Sequence, residues 1–226
     1  MKTKILFSSL LLVILATACK RKVVDISQLT FNRPLDIDLK GYTSRVENQD
    51  GHIEVSNGGL KIVDKGEKVM KYSFDEKESA NLKFDGAGIN PSFGAVITTY
   101  NNLLSFATFT LTTDQTARGI QYLKKKYGKP KNAVVNNIMA EALSEKTKAM
   151  ISENFPEYYK EYKNDFNTMV VEYPQVTSWV KDDVLYRMTL DPVKNNLNFK
   201  LDIITKKAFD DAVIIGYHKN IDDPFK

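Results

Sequence analysis

Residues 93–111 read FGAVITTYNNLLSFATFTL, and residues 113–128 read TDQTARGIQYLKKKYG. The first stretch is two runs of β-branched and aromatic residues, Phe93 to Tyr100 and Leu104 to Leu111, joined by Asn101-Asn102. That is the pattern of two strands closed by a tight hairpin turn. The second stretch changes period. Thr113 or Asp114 can cap a helix whose apolar face is Ala117, Ile120, Leu123 and Tyr127. Gly128 stands where a left-handed C-cap belongs, and Pro130 prevents continuation. A hairpin running directly into a helix without βαβ alternation points to an α+β fold.

Working outward toward the N-terminus, residues 35–112 read as an antiparallel β meander. Leu35-Asp36-Ile37-Asp38-Leu39 alternates apolar and acidic and predicts a strand. Asp50-Gly51 and Asn57-Gly58 predict turns on either side of His52-Ile53-Glu54-Val55. Leu60 to Val63 is expected to stop at Asp64-Lys65-Gly66. Val69 to Phe74 alternates, and Leu82-Lys83-Phe84 stops at Asp85-Gly86-Ala87-Gly88.

Toward the C-terminus, Asn132 is expected to cap a second central helix through Val135, Ile138, Met139, Ala142 and Leu143, running on toward Met150 and Ile151. A short third helix is expected after Pro156, with Tyr158, Tyr162 and Phe166 on one face. Antiparallel strands then return: Met169 to Tyr173, Val176 to Val180, Val184 to Leu190, Asn198 to Thr205 and Val213 to Tyr217. Pro174, Lys181-Asp182-Asp183 and Asp191-Pro192 interrupt them.

The chain has 226 residues and a single cysteine, with Lys plus Arg at 32, Asp plus Glu at 28 and a net charge of +4. One cysteine excludes an internal disulfide framework and a cysteine-based zinc cluster. The basic residues are 27 Lys and 5 Arg. Arg forks carry most base and phosphate recognition, so no nucleic-acid partner is expected.

The candidate chemistry is sparse. Asp36, Asp38, Gly41 and Glu47 fall at positions of a calcium loop, but Lys40 would put a cation among the ligands and no helix flanks them. Gly86-Ala87-Gly88 is a lone G-x-G with no helix behind it, hence a turn. Lys124, Lys125, Lys126, Lys129 and Lys131 form the densest basic cluster. They read first as a solvated helix end complementing the dipole, and second as a site for an anionic partner. Tyr158, Tyr159, Tyr162 and Phe166 read as a core stripe, and Trp179 as a packed residue. Asp182-Asp183, Asp210-Asp211 and Asp222-Asp223 read as solvated turns. His52 and His218 are the only histidines, and no hydrolase or phosphate-loop motif is present. The expectation is no enzyme, no cofactor and no metal.

The N-terminus is the most informative segment. Lys2 and Lys4 precede an apolar run, Ile5 to Leu15, and then Ala16-Thr17-Ala18-Cys19. A charged start, a short apolar run and small residues at a cut make a secretory signal peptide. The run is far below the ~20 residues that span a bilayer. Leu15-Ala16-Thr17-Ala18-Cys19 resembles the lipobox of bacterial lipoproteins. It departs from the usual pattern in carrying Ala16, not Leu, three places before the cysteine. The resemblance implies a diacylglyceryl thioether on Cys19, cleavage before it and acylation of the new amino group. Several acyl chains at ~0.8 kcal/mol per buried CH₂ make a stable membrane anchor.

On this reading residues 1–18 are the signal peptide, 19–25 a lipidated tether and 26–226 a single α+β domain with a soft seam near 112. Removing Lys2 and Lys4 lowers the net charge from +4 to +2. Lys20-Arg21-Lys22 would lie against anionic headgroups. Lys20 is not the Asp that marks inner-membrane retention, and the segment lacks the acidic residues of surface-exported lipoproteins. Delivery to the outer membrane, on the periplasmic face, is therefore expected. The function expected is that of a lipid-anchored envelope lipoprotein with a non-enzymatic binding or structural module, its partner an envelope protein or glycan. The alternative is an anchored inhibitor or immunity-type protein that occludes a toxin or hydrolase. Cys19→Ala is expected to release the chain from the membrane fraction and remove the acyl mass; retention of both would sink the lipoprotein reading.

Overall fold

The computed structural model describes residues 23–56, 59–214, 217, 224 and 225. The signal peptide, Cys19, Asn57-Gly58, His218 and Asp222-Asp223 lie outside them. The fold is α+β, with antiparallel strands dominating.

Three hairpins form where the turn chemistry predicts them. β6 (Ala95–Tyr100) and β7 (Leu103–Thr110) are joined by Asn101 and Asn102, both at positive φ, 50° and 64°. That is the conformation a two-residue turn needs to match the twist of its strands, and Asn tolerates it. The same solution recurs at Asp182 and Asp183, φ 51° and 60°, between β10 (Met169–Lys181) and β11 (Val184–Val193). It recurs again at Asp85-Gly86 between β4 (Leu82–Phe84) and β5 (Ala87–Gly88).

With β2 (Arg45–Ser56), β3 (Gly59–Phe74), β8 (Asn132–Met139), β9 (Lys160–Lys163) and β12 (Asn196–Thr205), the main sheet has nine strands. Its order is β2-β3-β6-β7-β12-β11-β10-β8, with β9 also on β10, and every pairing is antiparallel. A second sheet holds β1 (Val24–Asp25) parallel to β4, and β4 antiparallel to β5.

One face of the main sheet carries the principal core. Ile97, Phe109, Phe199, Leu201 and Ile203 project from the sheet to meet Ile120 and Leu123 of α2 (Thr116–Tyr127), Ile151 of α3 (Glu145–Asn154), and Leu82 and Phe84 of the small sheet. Phe84 stacks against Phe109 at 5.1 Å and Tyr122 at 4.7 Å, which fastens the small sheet to both. α2 ends at Gly128, φ 78°, whose carbonyl accepts a hydrogen bond from Trp179 Nε1 at 2.9 Å. The other face carries a smaller cluster at one end, Phe106, Leu185 and Ile204 under Ala208 and Phe209 of α4 (Lys206–Asp210).

Several elements differ from the sequence expectation. Leu35 to Leu39 is not a strand. Asp38 accepts from the Lys40 amide at 3.0 Å and caps a single 3₁₀ turn, Leu39–Gly41, a local bond that competes with strand pairing. Asp50-Gly51 and Asp64-Lys65-Gly66 do not end strands. They face each other as an irregularity inside the long β2–β3 ladder, with Gly66 at φ 76° and its amide on Asp64 Oδ1. Asn132–Met139 is a strand, not a helix; the helix begins only after Ser144, whose Oγ accepts from the Thr147 amide. The stretch after Pro156 is a turn and β9, because Asn164 Oδ1 accepts from the Phe166 and Thr168 amides and folds the chain back onto β10. Met169 to Val180 is one strand that carries Pro174 at a register shift. Of Val213 to Tyr217, the described residues Ile214 and Tyr217 form a bridge to each other and join no strand of the sheets. α4 adds a helix where no element was expected: Thr205 caps it, and Lys206–Asp210 and Lys207–Asp211 are i,i+4 ion pairs.

Two predictions follow from this packing. A Cβ on Gly119 would lie 2.7 Å from Leu111 Cδ1 and 2.9 Å from the Phe199 ring, both fully buried. Gly119→Ala therefore loses more by overpacking, about 1–3 kcal/mol, than the ~1 kcal/mol it gains in helix propensity. The melting temperature should fall by roughly 2–4 °C per kcal/mol lost; a rise would show that α2 has room to move off the sheet. The second prediction concerns Asp25, which accepts from the amides of Ser27, Asp85 and Gly86 at 3.0, 2.9 and 2.9 Å. Burial pushes this carboxyl up, but the hydrogen bonds outweigh it and hold it below its ordinary 3.8. Wild type should therefore be more stable than Asp25→Asn at neutral pH. That advantage should shrink as pH falls below 3.8 through the lower folded value. Denaturant titrations at pH 7 and at acid pH check the sign.

Candidate uncovered sheet edge

β8 reads Asn-Ala-Val-Val-Asn-Asn-Ile-Met and contains no charge and no proline. Edge strands are ordinarily blunted by lysine, proline, a bulge or a covering loop. β8 pairs with β10 along one side, from Met139 opposite Val170 to Asn132 opposite Ser178, and its other side has no strand among the described residues.

β10 creates this corner. Its register shifts between Pro174 and Val176, where the proline cannot donate to a ladder. β11 pairs with β10 only from Val176 to Lys181, whereas β9 pairs with it from Met169 to Glu172. On that side β10 passes from β9 to β11 at the proline, a fork, while β8 runs along its other side from Val170 to Ser178; β8, β9 and the first half of β10 make a three-stranded flap. Asn136 Nδ2 donates to Gln175 Oε1 at 3.0 Å across the fork.

The flap carries an unusual surface. Nine large hydrophobic side chains are exposed among the described residues, and six belong here: Val134 at 59%, Val135, Met139 at 53%, Tyr162, Phe166 at 87% and Met169. Met139 and Tyr162 both lie opposite Val170, so they flank it on neighbouring strands. Clustering of this kind is what marks an interaction surface; singly scattered apolar residues do not. Two of the charges nearby have partners: Lys160 pairs with Glu172 at 3.5 Å, and Glu161 accepts from Tyr159 Oη. Burial, and then the Glu161 carboxylate, push the Tyr159 phenol well above its ordinary value.

The residues singled out from sequence are dispersed. Glu47 pairs with Lys71 at 3.1 Å on β2 while Asp38 caps its turn, and no group of three or more His, Cys, Asp and Glu gathers among the described residues. Gly86 and Gly88 flank Ala87 at a hairpin turn. The lysine run splits: Lys124 Nζ turns to the Asn154 carbonyl and the Phe155 ring, Lys126 Nζ receives Tyr122 Oη at 2.5 Å as its acceptor, and Lys125 is exposed. The aromatic stripe divides between half-buried Tyr158 and Tyr159 and exposed Tyr162 and Phe166. Trp179 is buried, as expected. Asp182-Asp183 is a turn, but Asp210 and Asp211 belong to ion pairs on α4. His52 lies on β2 opposite Val63.

One polar cluster escaped the sequence reading. Asp202 is buried on β12, and its carboxylate accepts from Thr108 Oγ1 at 2.6 Å and Tyr217 Oη at 2.7 Å, with Lys200 Nζ at 3.5 Å. Arg187 Nη1 donates to Tyr217 Oη at 3.3 Å. Burial and the Asp202 charge push the Tyr217 phenol far up. Arg187, Asp202 and Thr108 stand side by side across three strands. Polar residues at alternate positions, Asn198, Lys200 and Asp202 on β12 and Arg187, Thr189 and Asp191 on β11, were the only signal for them. The donors around Asp202 tie the returning chain at Tyr217 to the sheet, so this cluster reads as a structural clasp.

Comparison with known protein families, with curated proteins and with solved structures found no match.

Proposed function

We propose that this chain is a lipid-anchored cell-envelope lipoprotein whose α+β domain is a non-enzymatic binding module, and that the β8 edge is the surface by which it holds its partner. The partner is a protein that supplies an extended segment with apolar side chains. Its backbone adds to β8, and its side chains meet Val134, Val135 and Met139.

The observation that carries this reading is the uncharged, uncovered eight-residue edge with exposed apolar side chains on and beside it. Strand addition draws affinity from main-chain hydrogen bonds and specificity from alternate side chains. An edge with neither charge nor proline imposes no penalty on an incoming strand. The lipobox-like Leu15-Ala16-Thr17-Ala18-Cys19 supports placing the module at a membrane, where the partner would be an envelope protein.

Photo-crosslinking in intact cells tests this. A photoreactive residue at Val134 or Met139 of the full chain should give a discrete protein adduct, and one at exposed Glu76 on α1 (Glu76–Ser79) should not. Val135→Lys is at a partly exposed site, so it should leave stability within about 0.5 kcal/mol. It should reduce the adduct by about tenfold, equivalent to ~1.4 kcal/mol at the interface. Equal adducts from Glu76, or an adduct indifferent to Val135→Lys, would overturn the assignment of this edge.

A further inference from the structure

A cavity of about 540 Å³ opens between α2 and the β4–β5 turn, at the end of the domain where the chain emerges. Its walls include Ser27, Gln28, Asp85, Arg118, Lys125 and Lys126. Three cations face one carboxylate. Arg118 Nε stands 3.8 Å from Asp85 Oδ2, and its guanidinium covers Gly86, where a Cβ would meet Nη2 at 2.8 Å. Lys126 is oriented: its Nζ donates to Tyr122 Oη at 2.5 Å and toward the Ser27 carbonyl at 3.4 Å, and it lies over the Tyr122 and Tyr127 rings at 5.1 and 5.6 Å. Lys125, beside it, is exposed. Asp25, a further acid at this end, is occupied by three backbone amides, and Asp36 lies beside it in a neighbouring depression with Val23 and Gln28. The cavity is thus a half-formed cationic cup with one cation fixed and one free to reach outward.

Its position relative to the anchor gives it meaning. Val23, exposed at 46%, is followed directly by β1 and then by Ser27 and Gln28 of the cavity wall. Cys19 stands four residues before Val23, a span of at most about 14 Å when fully extended. Lys20, Arg21 and Lys22 fill that span. A chain anchored at Cys19 therefore holds this cavity within reach of the lipid headgroups, and its charge has the sign that an anionic surface attracts.

We infer that the cavity formed by Arg118, Lys125 and Lys126 seats an anionic phospholipid headgroup and docks the domain in a fixed orientation on the membrane that holds its anchor. This inference rests on the lipid-anchor reading. Headgroup phosphate would lie between Arg118 and Lys125, with Lys126 at the rim and Val23 at the interface. The β8 edge would then be held at a constant attitude to the bilayer, not swung on a free tether.

The test is amine-labelling of the mature protein, reconstituted in vesicles of phosphatidylcholine alone or with phosphatidylglycerol. Mass spectrometry reads both the Cys19 peptide and the labelling rate at each lysine. Acylated Cys19, with Lys125 and Lys126 labelled about fivefold more slowly on anionic vesicles and exposed Lys163 unchanged, is expected. Salt at about 1 M should abolish the difference. Arg118→Gln, a change at a half-exposed side chain, should weaken the protection without loss of fold. Acylated protein with equal labelling on both vesicles overturns the cavity assignment and leaves the anchor standing. An unacylated Cys19 overturns both.

Discussion

An open antiparallel sheet must end somewhere, and its last strand presents backbone donors and acceptors that only water or another strand can satisfy. That constraint organises this molecule. Nine strands, with β9 branching off β10, leave three edge strands among the described residues: β2, β8 and the four-residue β9. At the first, β2 and β3 form a long ladder broken by an irregularity at Gly51 and Gly66, a device that twists an edge out of register with newcomers. At the far end, β8 carries no charge and no proline, and its ladder with β10 has its own register shift at Gln175, opposite Val134 and Val135. Its apolar side chains do not reach the core except at Ile138, which packs against it. A strand that stabilises so little by burial and yet carries valines and methionine outward is better matched to a partner than to solvent.

The rest of the fold holds that edge in place. Pro174 cannot donate to a ladder, so β10 shifts register there and carries its first half away from β11. β9 fills the vacated side, and Val170, Val171 and Tyr173 anchor the flap's root in buried surroundings. Trp179, further along the same strand, donates to the end of α2, so the fork is joined to the helix that bears the basic cluster. On the opposite face, the clasp of Asp202, Tyr217 and Thr108 draws the chain at Tyr217 across the sheet. The two surfaces proposed to act, edge and cationic cup, are thus mounted on one continuous core.

How much of this was legible depended on where the stabilising partner lies in the sequence. Turns are local, and Asn101-Asn102, Asp85-Gly86 and Asp182-Asp183 were readable because the residues that tolerate positive φ are the turn. α2 was readable because its apolar stripe and Gly128 sit close together, although neither Thr113 nor Asp114 caps it: they form a 3₁₀ turn, and Gln115 stands at the N-cap without a side-chain bond. β8 was not. Val135, Ile138 and Met139 fit a helical stripe equally well, and what makes them a strand is the unpaired side of β10, some forty residues later. The aromatic run from Tyr158 failed for the same reason: the β9 pairing and the Asn164 loop outweigh its i,i+4 spacing. An edge is by nature a property of the assembled sheet, so no window of sequence could announce it. The cationic cup was half visible, as a run of lysines, but the run could not tell that Lys124 turns away while Arg118 joins from about two turns earlier.

The central claim is that β8 is vacant in the isolated chain and filled in the envelope. Amide hydrogen exchange across residues 132–139, compared between the purified chain and native envelope membranes, addresses it most directly. The account predicts fast exchange at alternate β8 amides in the purified chain and strong protection of those amides in the envelope, with β11 and β12 protected in both. Equal exchange along β8 in the two states would contradict it.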